Sequence, residues 1–322
     1  MLEMGARLGV MAAFAVAVLQ VACGGGGGGD GGGGSGGSTV TAMSEGPITG
    51  FGSVILNGVR WNTDTATFEI DGQTGTQADL RVGMVVRVEG NRSSSEDGVA
   101  ERVVFESRLR GPVRLIEELG PDNKALTIFG IRALVSRAGT RFRDVTFDGL
   151  AEDRMVEISG FANADGAVEV THLRDRGVPV VGSTEVKLAG TISGLAGGSF
   201  LIGTSEVTFD GSTEIDDFGP LGLRNGLEVR VEGTLLVNDG IAASEIESPR
   251  GEGGDDFDET EIQGVVTEYV SVASFKVAGQ AVDASRARFE PNDPTLLRNG
   301  IVVEAEGQVD ANGVLMIGRA HV

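Results

Sequence analysis

The chain has 322 residues, a formal charge of −21, 52 Gly, one Cys, one Trp, one Tyr and two His. So acidic a balance argues against nucleic acid as a partner, because holding a phosphate backbone needs clustered Lys and Arg. A single Cys excludes internal disulfides, and the scarcity of aromatics leaves Val, Ile, Leu and Ala to build the core.

Residues Leu8 to Leu19 form an apolar run, followed by Gln20-Val21-Ala22-Cys23. The run is too short to span a bilayer and fits the hydrophobic region of a secretion signal. Ala22 before Cys23 resembles a bacterial lipobox, in which the Cys is lipidated and becomes the mature N-terminus. Gln20 stands where Leu is usual, and Glu3 opposes Arg7; initiation at Met4 rather than Met1 would remove Glu3. The expectation is a lipoprotein-type signal peptide over residues 1–22 and lipidation at Cys23, with an ordinary cleaved signal as the alternative. Gly24, rather than Asp, after the Cys favours the outer membrane over the inner.

Twelve of the fourteen residues after Cys23 are Gly. Such a tract cannot form a core and spans roughly 20 Å as a flexible coil. Residues 23–45 therefore read as a membrane tether.

The remainder is organised by one repeated stretch. Leu80-Arg-Val-Gly-Met-Val-Val-Arg-Val-Glu-Gly90 returns as Leu223 to Gly233 and as Leu297 to Gly307, with a weaker copy from Leu150 to Gly160. Val88, Val86 and Met84 alternate with Glu89 and Arg87, a period of two that predicts a strand with one buried and one wet face. The Leu-x-x-Gly before it predicts a turn in which Gly83, Gly226 and Gly300 supply a positive φ; Asp153 replaces the Gly in the second copy and tolerates the same region. Arg154 at an expected inward position sets that copy apart.

The copies define four units: 46–110, 111–175, 186–248 and 260–322, with an acidic Gly-rich linker at 249–259. Asp97-Gly98, Asp165-Gly166, Asp239-Gly240 and Asn312-Gly313 predict closing hairpins. Arg114 to Leu119 is the one stretch that reads as a short helix. The fold class expected is all-β: a tandem array of four small antiparallel β-barrels of OB-like type, because closure removes exposed edges. The tight joint at Leu109-Arg110-Gly111-Pro112 predicts a rigid pair of units one and two, followed by two more mobile units.

Gly50-Phe-Gly-Ser-Val-Ile-Leu-Asn-Gly-Val-Arg-Trp-Asn-Thr63 together with Ala78 to Gly90 resembles the bacterial "domain of unknown function 5666" family. The resemblance is close over unit one, moderate over units three and four and thin over unit two. It implies repeated small β-barrels in an envelope lipoprotein and carries over no catalytic residue.

Candidate chemistry is sparse. His172 and His321 lie in different units and read as surface or strand-end residues. Asp255, Asp256, Asp258 and Glu259 concentrate carboxylates that could hold Ca²⁺, but without the spacing of a calcium loop; a solvated acidic linker is the expected role. Trp61 and Tyr269 are candidate ligand contacts, with barrel core or rim the commoner role for Trp61. No cofactor is implied. The function expected is a non-enzymatic cell-envelope lipoprotein, held to the membrane by its lipid and serving as a spacer or protein-interaction array. Its partners would be another envelope protein or a glycan. An oligosaccharide or small-polymer binding module is the alternative, and a hydrolase the remote one.

Overall fold

A computed structural model describes residues 39–216, 218–248 and 257–322. Among these the structure is all-β, with four repeats of one strand plan and only three-residue helical turns between strands. Repeat one comprises β1 (Val40–Pro47), β2 (Val54–Leu56), β3 (Val59–Asn62), β4 (Thr67–Ile70), β5 (Gln73–Thr74), β6 (Val85–Arg92) and β7 (Asp97–Phe105). Repeat two comprises β8 (Leu109–Gly120), β9 (Asn123–Ile128), β10 (Ile131–Ser136), β11 (Arg141–Arg143), β12 (Met155–Ala162) and β13 (Val168–Gly177). Repeat three comprises β14 (Glu185–Ala196), β15 (Ser199–Ile202), β16 (Ser205–Thr208), β17 (Glu214–Ile215), β18 (Glu228–Leu235) and β19 (Ile241–Glu247). Repeat four comprises β20 (Glu259–Ser271), β21 (Ser274–Val277), β22 (Gln280–Asp283), β23 (Arg288–Glu290), β24 (Val302–Val309) and β25 (Leu315–His321).

Two differences from the sequence reading are immediate. The first strand begins at Val40, so residues 40–45, assigned above to the tether, belong to the fold. Arg114 to Leu119 lies inside the twelve-residue strand β8 rather than a helix. Its helical spacing of apolar residues is overridden by pairing with β9, where Ile116 faces Leu126 and Glu117 faces Ala125.

In repeat two, pairing runs from β8 to β9 to β10, in parallel to β13, back through β12, and from β12 to β8. Repeats three and four follow the same circuit. In repeat one the chain leaves β1 at Pro47, and a bridge between Gly50 and Ile55 stands where the longer first strand runs on elsewhere.

The repeated stretch forms β6, β12, β18 and β24. Gly83, Gly226 and Gly300 take φ values of 89°, 84° and 89°, and Asp153 takes 60°, the left-handed turn the sequence predicts. The closing glycine has a different cause. Gly90, Gly160, Gly233 and Gly307 each sit at a shift in register with the following strand. A Cβ on any of them would overlap a partner-strand carbonyl oxygen: Val99, Glu169, Ala242 or Met316. Each is a β-bulge that admits only a hydrogen at that position.

The expectation of four separate units, with the third and fourth more mobile, is corrected. Repeats one and four share a thirteen-stranded sheet, and repeats two and three a twelve-stranded sheet. In the first, β1 lies parallel to β20, pairing Ala42 to Glu45 with Glu259 to Ile262. In the second, β8 lies antiparallel to β14, pairing Arg110 with Lys187 and Leu109 with Leu188. Repeats two and three also share one apolar cluster, whereas repeats one and four keep their own, with Met43 of repeat one packing against the core of repeat four.

These seams explain the weak second copy. β6 and β18 alternate between buried and partly exposed residues, but β12 is buried on both faces. Its outer face meets repeat one, where Ser159 Oγ accepts the Val85 N–H at 2.8 Å, while Glu157 pairs within the repeat with Arg110 at 3.3 Å. Arg154 precedes the strand and pairs with Asp175 at 2.9 Å instead of pointing inward.

Candidate functional site

The residues the sequence marks as chemical are scattered. Trp61 is 0% exposed in the core of repeat one, which removes it as a ligand platform. It lies so close over β7 that Gly98 must lack a side chain, and the turn closes earlier, with the Ser93 and Ser94 N–H groups donating to the Asp97 carbonyl, so Asp97-Gly98 opens the strand. As the sole Trp, Trp61 should emit as a fully buried indole, and Trp61→Ala is expected to cost about 3–5 kcal/mol. Urea unfolding followed by circular dichroism checks the second expectation. Tyr269 is partly buried, its ring 6.1 Å from that of Phe275. Cys23, Asp255 and Asp256 lie outside the described residues. Asp258 accepts the Thr41 N–H at 3.0 Å, and Glu259 lies 3.3 Å from Arg92, so both carboxylates of the candidate Ca²⁺ group that are described already serve the seam. His321 is at a strand end and faces Glu290 at 3.7 Å. His172, expected at the surface or at a strand end, is only 2% exposed and lies inside β13.

What the structure assembles instead is a pair of ionic clusters at the seams. The first joins repeats one, two and three. Lys187 is 1% exposed and stands opposite Arg110 across the β8–β14 pairing. Two cations in register repel, so anions must converge on them. Asp71, at the tip of the β4–β5 hairpin, bonds to Arg110 and lies 3.4 Å from Lys187. It also accepts the Ser107 N–H at 2.7 Å and the Ser107 hydroxyl at 2.8 Å. Glu232 pairs with Lys187, Glu185 with Arg110, and Glu106 with Arg230. Burial alone would raise the Asp71 carboxyl; Lys187, then Arg110 and Ser107, overrule it and hold it below its ordinary range.

The second cluster lies on the β1–β20 seam. Arg92, 3% exposed, reaches Glu259 at 3.3 Å, Glu261 at 3.7 Å and Glu306 at 3.8 Å. Its guanidinium donates to the Ser94 and Ser95 carbonyls at 3.3 and 3.0 Å. Ser44 donates to Glu261 at 3.0 Å, and Arg319 pairs with Glu306. A polar cleft of about 260 Å³ opens here, lined by Arg92, Ser93, Ser94, Ser95, Glu259, Glu306, Arg319 and Val40.

Carboxylates are in excess at this seam. Burial, and then Glu304, push the Glu261 carboxyl up to about 8; a hydrogen bond with Glu306, and then burial, push Glu259 up to about 7. Both start from 4.5. The native state therefore keeps protons that the unfolded chain releases. That contribution to stability is complete below pH 4.5, declines as pH rises, and is lost through about pH 8. Wild-type protein should lose stability relative to Glu261→Gln between about pH 5 and 8. Urea midpoints at several pH values read this, and parallel curves would contradict it.

The sequence profile described as Domain of unknown function (DUF5666) matches residues 39–104, 115–171, 189–247 and 263–316. The chain belongs to the DUF5666 family. The four matches correspond to the four strand circuits, so the DUF5666 unit is one repeat of this fold. No curated protein and no solved structure matches the chain. Among the described residues, no group of three or more His, Cys, Asp or Glu is placed to hold a metal ion, and no helix is long and apolar enough to cross a membrane.

The seam residues were hidden in plain alternation. Arg110, Lys187, Arg92 and Glu261 occupy strand positions that read as wet. The available signal was a basic residue within three positions of the first-strand glycine, Lys187 before Gly190 and Arg110 before Gly111.

Proposed function

We propose that this DUF5666 protein is a non-enzymatic, lipid-anchored protein of the bacterial cell envelope whose repeats form a stiff spacer and interaction array. The observation that carries the reading is the pair of seams. The repeats bind one another by strand-edge addition, closed over by buried ion pairs, so the array presents its repeats in a defined arrangement. Fixed spacing is what lets several weak contacts act together. Each repeat is read as a small OB-like barrel. The order first, second, third, sixth, fifth, first supports that reading, with the short extra strand on the side. The leader, Cys23 and the Gly tract support the anchor and favour the outer membrane.

Two experiments test this. Labelled fatty acid should enter the wild-type protein and not Cys23→Ser. Cross-linking in living cells should recover one envelope protein in fixed stoichiometry with the anchored form. Recovery of no protein would count against the array and direct attention to envelope glycans, the alternative partner. That alternative has lost its Trp61 platform to the core.

A further inference from the structure

The outer face of repeat two carries an arginine cluster that the seams do not use. β11 lies parallel to β13, pairing Arg141 with His172, Phe142 with Leu173, and Arg143 with Arg174. Phe142 and Leu173 belong to the apolar cluster of repeats two and three. Successive residues of a strand alternate faces, so Arg141, Arg143, His172 and Arg174 share the opposite, outward face. The turn of repeat one docks beside them. Gly83 approaches the Thr171 carbonyl and the Arg141 side chain so closely that a Cβ would lie 2.5 Å from the first and 2.9 Å from the second. Arg81 arrives with that turn, oriented by its bonds to the Ala78 and Leu80 carbonyls at 2.5 and 2.6 Å.

The anions at hand are too few. Asp144 Oδ2 takes Arg174 Nε at 3.0 Å and lies 3.7 Å from Arg143 Nε. Asp79 accepts the Thr76 N–H and hydroxyl, both at 2.9 Å, and keeps its charge, which acts on Arg81 and Arg143, so two carboxylates face four guanidinium groups. Among the described residues Arg141 makes no ion pair, and the Arg81 side chain bonds only to backbone carbonyls. Elsewhere on the same repeat arginines are matched: Arg137 holds Asp122 and Asp148, and Arg114 holds Asp153 and Asp239. A chain with 47 acidic residues against 26 basic ones has thus left this face with more cations than anions. The potential reaches His172, whose ring burial first, and then Arg143, Arg81 and Arg174, push down to about 4. The ring therefore stays neutral, and the cationic charge of the face is carried by guanidinium groups. About 30% of the Arg143 and Arg174 side chains remains exposed, so their remaining N–H groups are within reach of a ligand.

We propose that this face, formed by Arg141, Arg143 and Arg174 with Arg81 from repeat one, binds a phosphate group. Guanidinium forks match phosphate oxygens in pairs. A phosphate monoester carries about −1.5 to −2 at neutral pH, whereas a single carboxylate leaves most of the cationic charge unmet. Lipid headgroups and free phosphate share this chemistry, and the test separates them.

The full-length chain is titrated calorimetrically with inorganic phosphate, and sedimented with phosphatidylcholine vesicles with and without phosphatidic acid. Arg143→Gln with Arg174→Gln should weaken binding of whichever probe binds wild type by about tenfold or more. Arg141→Gln, which removes no internal partner, should weaken it several-fold, and Arg137→Gln should leave it unchanged. Binding of phosphate in solution identifies a free anion as ligand; binding confined to phosphatidic acid vesicles identifies a headgroup. Failure of both probes to bind overturns the proposal, as does unchanged binding in the Arg141 variant and the double variant.

Discussion

Replacing Lys187 with methionine should lower the free energy of unfolding by about 3–5 kcal/mol. Lys187 is almost wholly buried, and its removal leaves the largely buried Asp71 and Glu232 short of a cation. Arg110 remains beside Asp71, but it already serves Glu157 and Glu185. The loss is therefore that of a buried pair broken from one side. Lys276 is the control. Its pair with Glu268 is 39% and 68% exposed, and Lys276→Met should cost less than about 1 kcal/mol. Urea unfolding of both variants beside wild type makes the comparison. Equal midpoints for the two variants would mean that the first ionic cluster does not hold repeats two and three together.

The second large effect is expected at the bulge glycines. Gly233→Ala places a methyl against the Ala242 carbonyl and the Ala243 Cα, backbone atoms that cannot turn aside. The β18–β19 pairing must then part or shift, at a cost of about 1–3 kcal/mol for Ala and more for Val. Gly318, on β25, has open space where its Cβ would be. Gly318→Ala should be neutral or stabilise slightly, because glycine gives up more freedom on entering a strand. Thermal unfolding distinguishes a steric role from a general intolerance of change in strands. If both substitutions lowered the midpoint alike, the close approach at the bulge would not be the reason Gly closes all four copies of the motif.

The sequence carried the repeat and its local geometry well. Period-two alternation in Met84-Val-Val-Arg-Val-Glu-Gly90 is a local property of one strand, and so is the turn at Gly83. Three of the four hairpin dipeptides lie at turns: Gly166 and Gly313 have φ of 77°, and Asp239 has φ of 58°. Asp97-Gly98 departs from this: the turn closes on the Asp97 carbonyl, and Gly98 is required instead by Trp61, distant in sequence, which lies on it. The pairing of repeats was not legible. The tight joint at Leu109 to Pro112 pointed to repeats one and two as the fixed pair, yet β1 pairs with β20 across more than two hundred residues. Charged residues on strand faces were read as solvated for the same reason. An outward Lys or Glu on an isolated repeat is wet; on a repeat whose outer face meets another it is buried and must find a partner. Lys187, Arg110, Arg92 and Glu261 all follow that rule. The phosphate-binding face was invisible in turn, since Arg81 and Arg143 come together only when the Gly83 turn docks on β13.

The pairing of repeat one with repeat four is the claim on which the rest depends, and disulfide trapping reads it directly. In a Cys23→Ser background, cysteines at positions 42 and 259 replace residues that face each other across the parallel seam. Adjacent strands bring Cα atoms within the range a disulfide spans. A second protein carries cysteines at 42 and 185, where residue 185 opens the equivalent strand of repeat three. Spontaneous closure of the 42–259 bridge, with the 42–185 pair remaining as free thiols, is the result the structure predicts. Closure of 42–185 in place of 42–259 would contradict it.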